Sequence, residues 1–118
     1  MPEQVTLTDA GAAVVDIGKN ARALGLALAA ELQAEDDRAV AKVEAIRDIV
    51  ANSGVAGHTA TSPSAAEKLV EFHPLYQEAR DAQRHAVIAA YAARGDYEVA
   101  KLHARLCVEA VAATTEDR

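Results

Sequence analysis

"RGDYEVAKLHARLC", Arg94 to Cys107, decides how many helices the chain contains. Gly95 suits the left-handed position just past a helix C-terminus, and the Asp96 side chain suits the cap of a following helix. The pair therefore reads as a corner, with one helix ending at Arg94 and another running over residues 96–114. Folded back on each other, these two would form a tight antiparallel hairpin.

Upstream of that corner, "SPSAAE" has the spacing of a capping box, Ser64 to Glu67, so a helix is expected over 64–94. Pro74 in "EFHPLY" lacks an amide and pushes His73 out of helical geometry, which predicts a kink there, with Pro74 in the favoured first-turn position of the continuing helix. One face beyond it carries Leu75, Ala79, Ala82, Ala86, Ala89, Ala90 and Ala93, small enough to let another helix approach closely. Val87, Ile88 and Tyr91 form a second apolar patch well round from the first. A helix apolar on two sides is either central in a bundle or contacts a partner.

The N-terminal half reads as one long helix over 9–52, capped by Thr8 or Asp9 with Leu7 as a staple residue. Its apolar residues, Ala10, Val14, Ile17, Ala21, Leu24, Leu28, Leu32, Ala39, Val43, Ile46 and Val50, follow helical spacing. Glu35 falls on that stripe and Asp36 suits a cap, so a break near residue 36 is the alternative. Asn52, Ser53 and Gly54 end the helix, and residues 53–63 read as a loop. The fold class expected is all-α, an antiparallel three- or four-helix bundle in a single domain with a long N-terminal helix.

"AYAARGDYEVA", Ala90 to Ala100, resembles the corner of a tetratricopeptide repeat, with Tyr91, Gly95, Asp96, Tyr97 and Ala100 on matching positions, in one copy. It is similar also to the hairpins of microtubule-interacting and trafficking domains, which are three-helix bundles that bind peptide helices. The resemblance implies hairpin geometry there, and a peptide groove between the last two helices.

Composition narrows the function classes. The formal net charge is -6, and the 12 basic residues are interspersed among 18 acidic ones, so no electrostatic footprint for nucleic acid is visible. Alanine, roughly a quarter of the residues, favours helix. A single cysteine rules out an intrachain disulfide, and no apolar run approaches the ~18 residues of a membrane span. The expectation is a cytoplasmic protein that does not bind membrane, of the kind found as a bacterial or phage accessory protein.

The chemistry-bearing residues are few. Val99, Leu102, Leu106 and Ala110 are expected inward on the last helix, with His103 near the middle of that arc and Cys107 at its edge. If the hairpin is tight, His85 joins His103 and Cys107 to offer imidazole and thiolate ligands suited to zinc. The competing reading is structural, with a buried thiol acting as a small hydrophobe. Phosphate loops, nucleophile elbows, CxxC pairs and paired ExxH motifs are all missing, so no catalytic residue and no cofactor is assigned. The reading that follows is a non-enzymatic interaction, assembly or adaptor protein that pairs with itself through Leu24, Leu28, Leu32, Val87, Ile88 and Tyr91. Its partners are a second copy and another protein. The alternative is a small-ligand or metal-binding bundle using His85, His103 and Cys107.

Overall fold

The computed structural model describes residues 5–116. In chain order they form helix α1 (Leu7–Ala51), strands β1 (Gly54–Val55) and β2 (His58–Thr59), helix α2 (Pro63–Glu67), a 3-10 turn (Val70–Phe72) and helix α3 (Pro74–Glu116). The architecture is mostly helical, with two long helices and one short one. Among the described residues two long helices, not the three or four expected of a bundle, make up most of the structure.

Helix α1 is continuous through Glu35, Asp36 and Asp37. Its N-terminus is closed by Thr6, two residues before the nearer of the expected caps, Thr8 and Asp9. The Asp9 amide donates to Thr6 Oγ1 at 3.1 Å, and the Thr6 amide donates to Asp9 Oδ2 at 3.0 Å. This reciprocal pair satisfies two amides that the helix itself leaves free.

Helix α3 overturns the corner expected at Gly95 and Asp96, because it runs unbroken through both. Glycine in a helix interior costs about 1 kcal/mol relative to alanine, which weakens a helix without ending it. Here the flanks hold it, since the least exposed residues of α3 keep one phase across the glycine: Ala90, Ala93, Tyr97, Ala100, Ala104, Cys107 and Val111, alternately three and four apart. A break at Gly95 would lose that phase. The same phase corrects the inward set of the last segment, because Val99, Leu102 and Leu106 are exposed while Ala104 and Cys107 are buried.

The region before Pro74 also differs from expectation. Helix α2 is a single short segment capped by Ser62, whose side chain accepts the Ala65 amide at 3.2 Å, with Pro63 in the first turn. Ser64 is therefore not the cap. Residues expected as loop hold an antiparallel two-stranded ladder, Gly54 opposite Thr59 and Val55 opposite His58. Ala56 and Gly57 join the strands, both with positive φ. Two such residues make the primed turn whose twist suits a two-residue hairpin.

The described residues divide into two compact units. The terminal unit comprises those up to Leu28 and from Ala89 onward, and the central unit comprises Ala29–Ile88. The terminal unit is centred on Ala10, Ala13, Ala104 and Cys107, with Val5, Ile17 and Val111 packed against them. The central unit buries Ala45, Ile49, Ala60, Ala66, Val70 and Tyr76, so α2, the 3-10 turn and the end of the β-hairpin all cover the C-terminal end of α1. In the terminal unit α1 and α3 pack through small side chains. Of the stripe expected inward on α1, Ala10 is buried and Ile17, Ile46 and Val50 pack against the two cores, whereas Val14, Leu32 and Val43 are exposed. Small side chains such as Ala13 and Ala104 let two helices approach closely, and part of the bulkier aliphatic set is left on the outer faces.

Candidate functional site

Arg38 is, with Glu31, one of two half-buried charged residues of α1 within the central unit. It lies on the inward phase with Ala34, Ala41 and Ala45, and is half-buried. Its Nε and Nη2 donate to Tyr76 Oη at 3.1 and 2.7 Å, and its Nη1 donates to Gln83 Oε1 at 2.9 Å. The guanidinium also lies 5.3 Å from the Tyr76 ring centroid. Burial of a cation demands such partners, and all three of these bonds go to neutral oxygens.

Two shallow depressions adjoin this cluster on α1 and α3. One, of about 390 Å³, is bordered by Arg38, Gln83, Arg84, Val87 and Ile88. The other, of about 350 Å³, is bordered by Glu35, Arg38, Ala39, Lys42, Tyr76 and Gln83. Arg38 and Gln83 line both, so the two depressions lie on one side of the helix pair. The first combines the aliphatic Val87 and Ile88 with the guanidinium groups of Arg38 and Arg84, and the second sets the Glu35 carboxylate beside Arg38 and Lys42.

The residues expected to form an interface are mostly on the outside. In the central unit Leu32 and Ile88 are each 65% exposed, and Val87 is 44% exposed. In the terminal unit Tyr91 is 78% exposed, while Leu24 and Leu28 are half-buried. Sequence reasoning missed Arg38, Tyr76 and Gln83. The signal was present in Arg38, a cation standing between Ala34 and Ala41 on a line of three- and four-residue spacing.

His103 and Cys107 do meet, with Sγ 3.7 Å from Nε2 in the terminal unit. Cys107 is buried and His103 exposed, beside a depression that Asp9 and Asp16 also line. His85 belongs to the central unit and is exposed. Among the described residues no three His, Cys, Asp or Glu side chains are grouped to hold a metal ion, so the trio expected from a tight hairpin at Gly95 has no counterpart. The reason is the unbroken α3, which removes the turn that was to fold His103 and Cys107 back towards His85.

A further histidine, His73, is the buried polar residue of the central unit. Its Nε2 lies 2.6 Å from Asp48 Oδ2, and its Nδ1 accepts the Leu75 amide at 3.1 Å. Both ring nitrogens are thereby spent on joining α1 to the start of α3, which is a structural task. No helix among the described residues is long and apolar enough to cross a membrane. No family model, curated protein or solved structure matches the chain.

Proposed function

We propose that the protein is a non-enzymatic assembly or adaptor protein that works as a homo-oligomer of paired helices. The observation that carries this reading is the inverted distribution of side chains. Ala10, Ala13, Ala104 and Cys107 make the buried cluster of the terminal unit, and Ala45, Ile49 and Tyr76 lie in that of the central unit, while Leu32, Val87 and Ile88 of the central unit and Tyr91 of the terminal unit stand in solvent. Exposed large aliphatics on successive helical turns are costly to leave in water, and association removes them.

Light scattering and sedimentation across a concentration series test the reading. A dimer or higher oligomer at micromolar concentration is expected, and Leu28→Glu should dissociate it. A protein that stays monomeric throughout that range would overturn the proposal.

A further inference from the structure

Arg38 has donors to spare. A guanidinium offers five N–H groups and three are committed, so two remain, and no carboxylate among the described residues forms an ion pair with it. Its neighbour Arg84 reaches only Asp81, at a loose 3.8 Å, with a side chain 68% exposed. Lys42, at the rim, is already held by Glu67 at 3.2 Å. Two guanidinium groups therefore face one side of the central unit with too little negative charge opposite them.

The missing acid is available on the same side. Glu35 borders the depression that Arg38 and Gln83 line, and its carboxylate makes no hydrogen bond or ion pair among the described residues. It sits between exposed Leu32 and Ala39 on one line of α1, three residues after the first and four before the second. On α3 the sequence Arg80, Arg84, Val87 follows a line of the same spacing. Spacing that alternates three and four is what two helices need to stay in contact along their length.

The two lines also agree in height. Arg38 is bonded to both Tyr76 and Gln83, and α3 runs antiparallel to α1. At equal rise per residue, Glu35 stands level with Arg84, Leu32 with Val87, and Ala39 with Arg80. A two-fold axis parallel to the helices keeps every residue at its own height while it brings α1 of one copy onto α3 of the other. Each contact is then made twice, as an isologous interface requires.

We propose that a second copy of this chain completes the site: Glu35 of each copy enters the depression between Arg38 and Arg84 of the other, with Leu32 against Val87 and Ala39 against the aliphatic stem of Arg80. This rests on the homo-oligomer reading and adds its geometry and charge pairing. The glutamate supplies the carboxylate that the paired guanidinium groups lack, and the flanking aliphatics exclude water from it.

Charge exchange tests the arrangement by sedimentation equilibrium, with helicity followed by circular dichroism. Glu35→Arg alone and Arg84→Glu alone are both exposed changes, and each should raise the dimer Kd by about tenfold or more. The double variant, Glu35→Arg with Arg84→Glu, should return it to within about threefold of the parent. Single variants that leave Kd unchanged, or a double variant no better than either single one, would overturn the pairing while the dimer itself stands. A parent protein that is monomeric throughout would overturn the homo-oligomer reading and the pairing with it.

Discussion

His73 joins α3 to α1 through Asp48, its Nε2 2.6 Å from Oδ2, while the Leu75 amide donates to its Nδ1. An Nδ1 that accepts carries no proton, so the hydrogen of the neutral ring is on Nε2 and points at Asp48. The His73 side chain is 7% exposed and the Asp48 side chain 55% exposed. Removing the acid strands a buried donor, whereas an amide in its place still accepts. Asp48→Ala should therefore destabilise the fold by about 1–3 kcal/mol, and Asp48→Asn by clearly less. Chemical denaturation measures both, and nitrogen-15 spectra of the imidazole should report the Nε2–H tautomer.

Tyr76 and Arg38 act as one unit, because two of the guanidinium N–H groups converge on a single phenol oxygen. Tyr76→Phe removes the acceptor and keeps the buried ring; Arg38→Ala removes the donors. If the two residues stabilise the fold through each other, the double variant should cost less than the sum of the singles, by about 0.5–3 kcal/mol. A double-mutant cycle in urea reads this directly, and strict additivity would contradict the geometry.

How much of this was legible in the sequence depends on the scale of the cause. The long first helix was readable because helical spacing persists through Glu35, Asp36 and Asp37, and a solvent-facing acid there costs little. The phase of that helix was misread in part: Ala10, Ile17, Ile46 and Val50 do face the cores, but Val14, Leu32 and Val43 look like core residues by hydrophobicity, whereas Ala13, Ala41 and Ala45 take the inward positions. Small side chains carry weak transfer energy, so their preference appears only when the facing helix is known. Gly95 was misread for a related reason: its local cost is outweighed by packing on both sides. His103 and Cys107 are one turn apart on a helix, so their contact was foreseeable, and the Arg38 cluster was not, because its partners lie 38 and 45 residues away.

The β-hairpin carries a testable strain. Ala56 has φ of 50° in a turn where both central residues take positive φ, a conformation that penalises a side chain of L configuration. Ala56→Asn gives the residue most often found there before glycine. It should raise stability by about 0.5–1 kcal/mol, seen as a higher Tm. Gly54 is different, because a Cβ there would collide with the His58 carbonyl across the ladder. Gly54→Ala should lower stability by more than about 1 kcal/mol in the same assay.

Gly11, Gly18 and Gly25 stand seven residues apart on α1, and a Cβ built on any of them meets nothing. Within one chain there is no steric reason for glycine at these positions, and each costs about 1 kcal/mol of helix stability relative to alanine. Converting each to alanine should therefore raise the free energy of unfolding by up to about 1 kcal/mol, measured where the protein is monomeric. Gains at all three sites would show that the line is open in the monomer. Repeating the measurement at concentrations where copies associate reads whether the same line is covered there, since a Cβ in a closely packed interface would turn the gain into a loss.

The Thr6 and Asp9 cap should respond to acid. The Thr6 backbone amide, and then its side chain, hold the Asp9 carboxyl below the ordinary aspartate value, so the folded state favours the ionised form. A carboxyl whose pKa is lower in the folded chain stabilises the fold above its unfolded pKa, and that contribution disappears as the pH falls through the folded value. Between neutrality and about pH 5 the cap should be fully effective, with its loss confined to pH below about 4. Asp9→Asn should lower the Tm at pH 7 and bring little further change at low pH, so the Tm difference from the parent narrows on acidification. A difference that stayed constant from pH 7 to pH 2 would show that the charge on Asp9 contributes nothing to the start of α1.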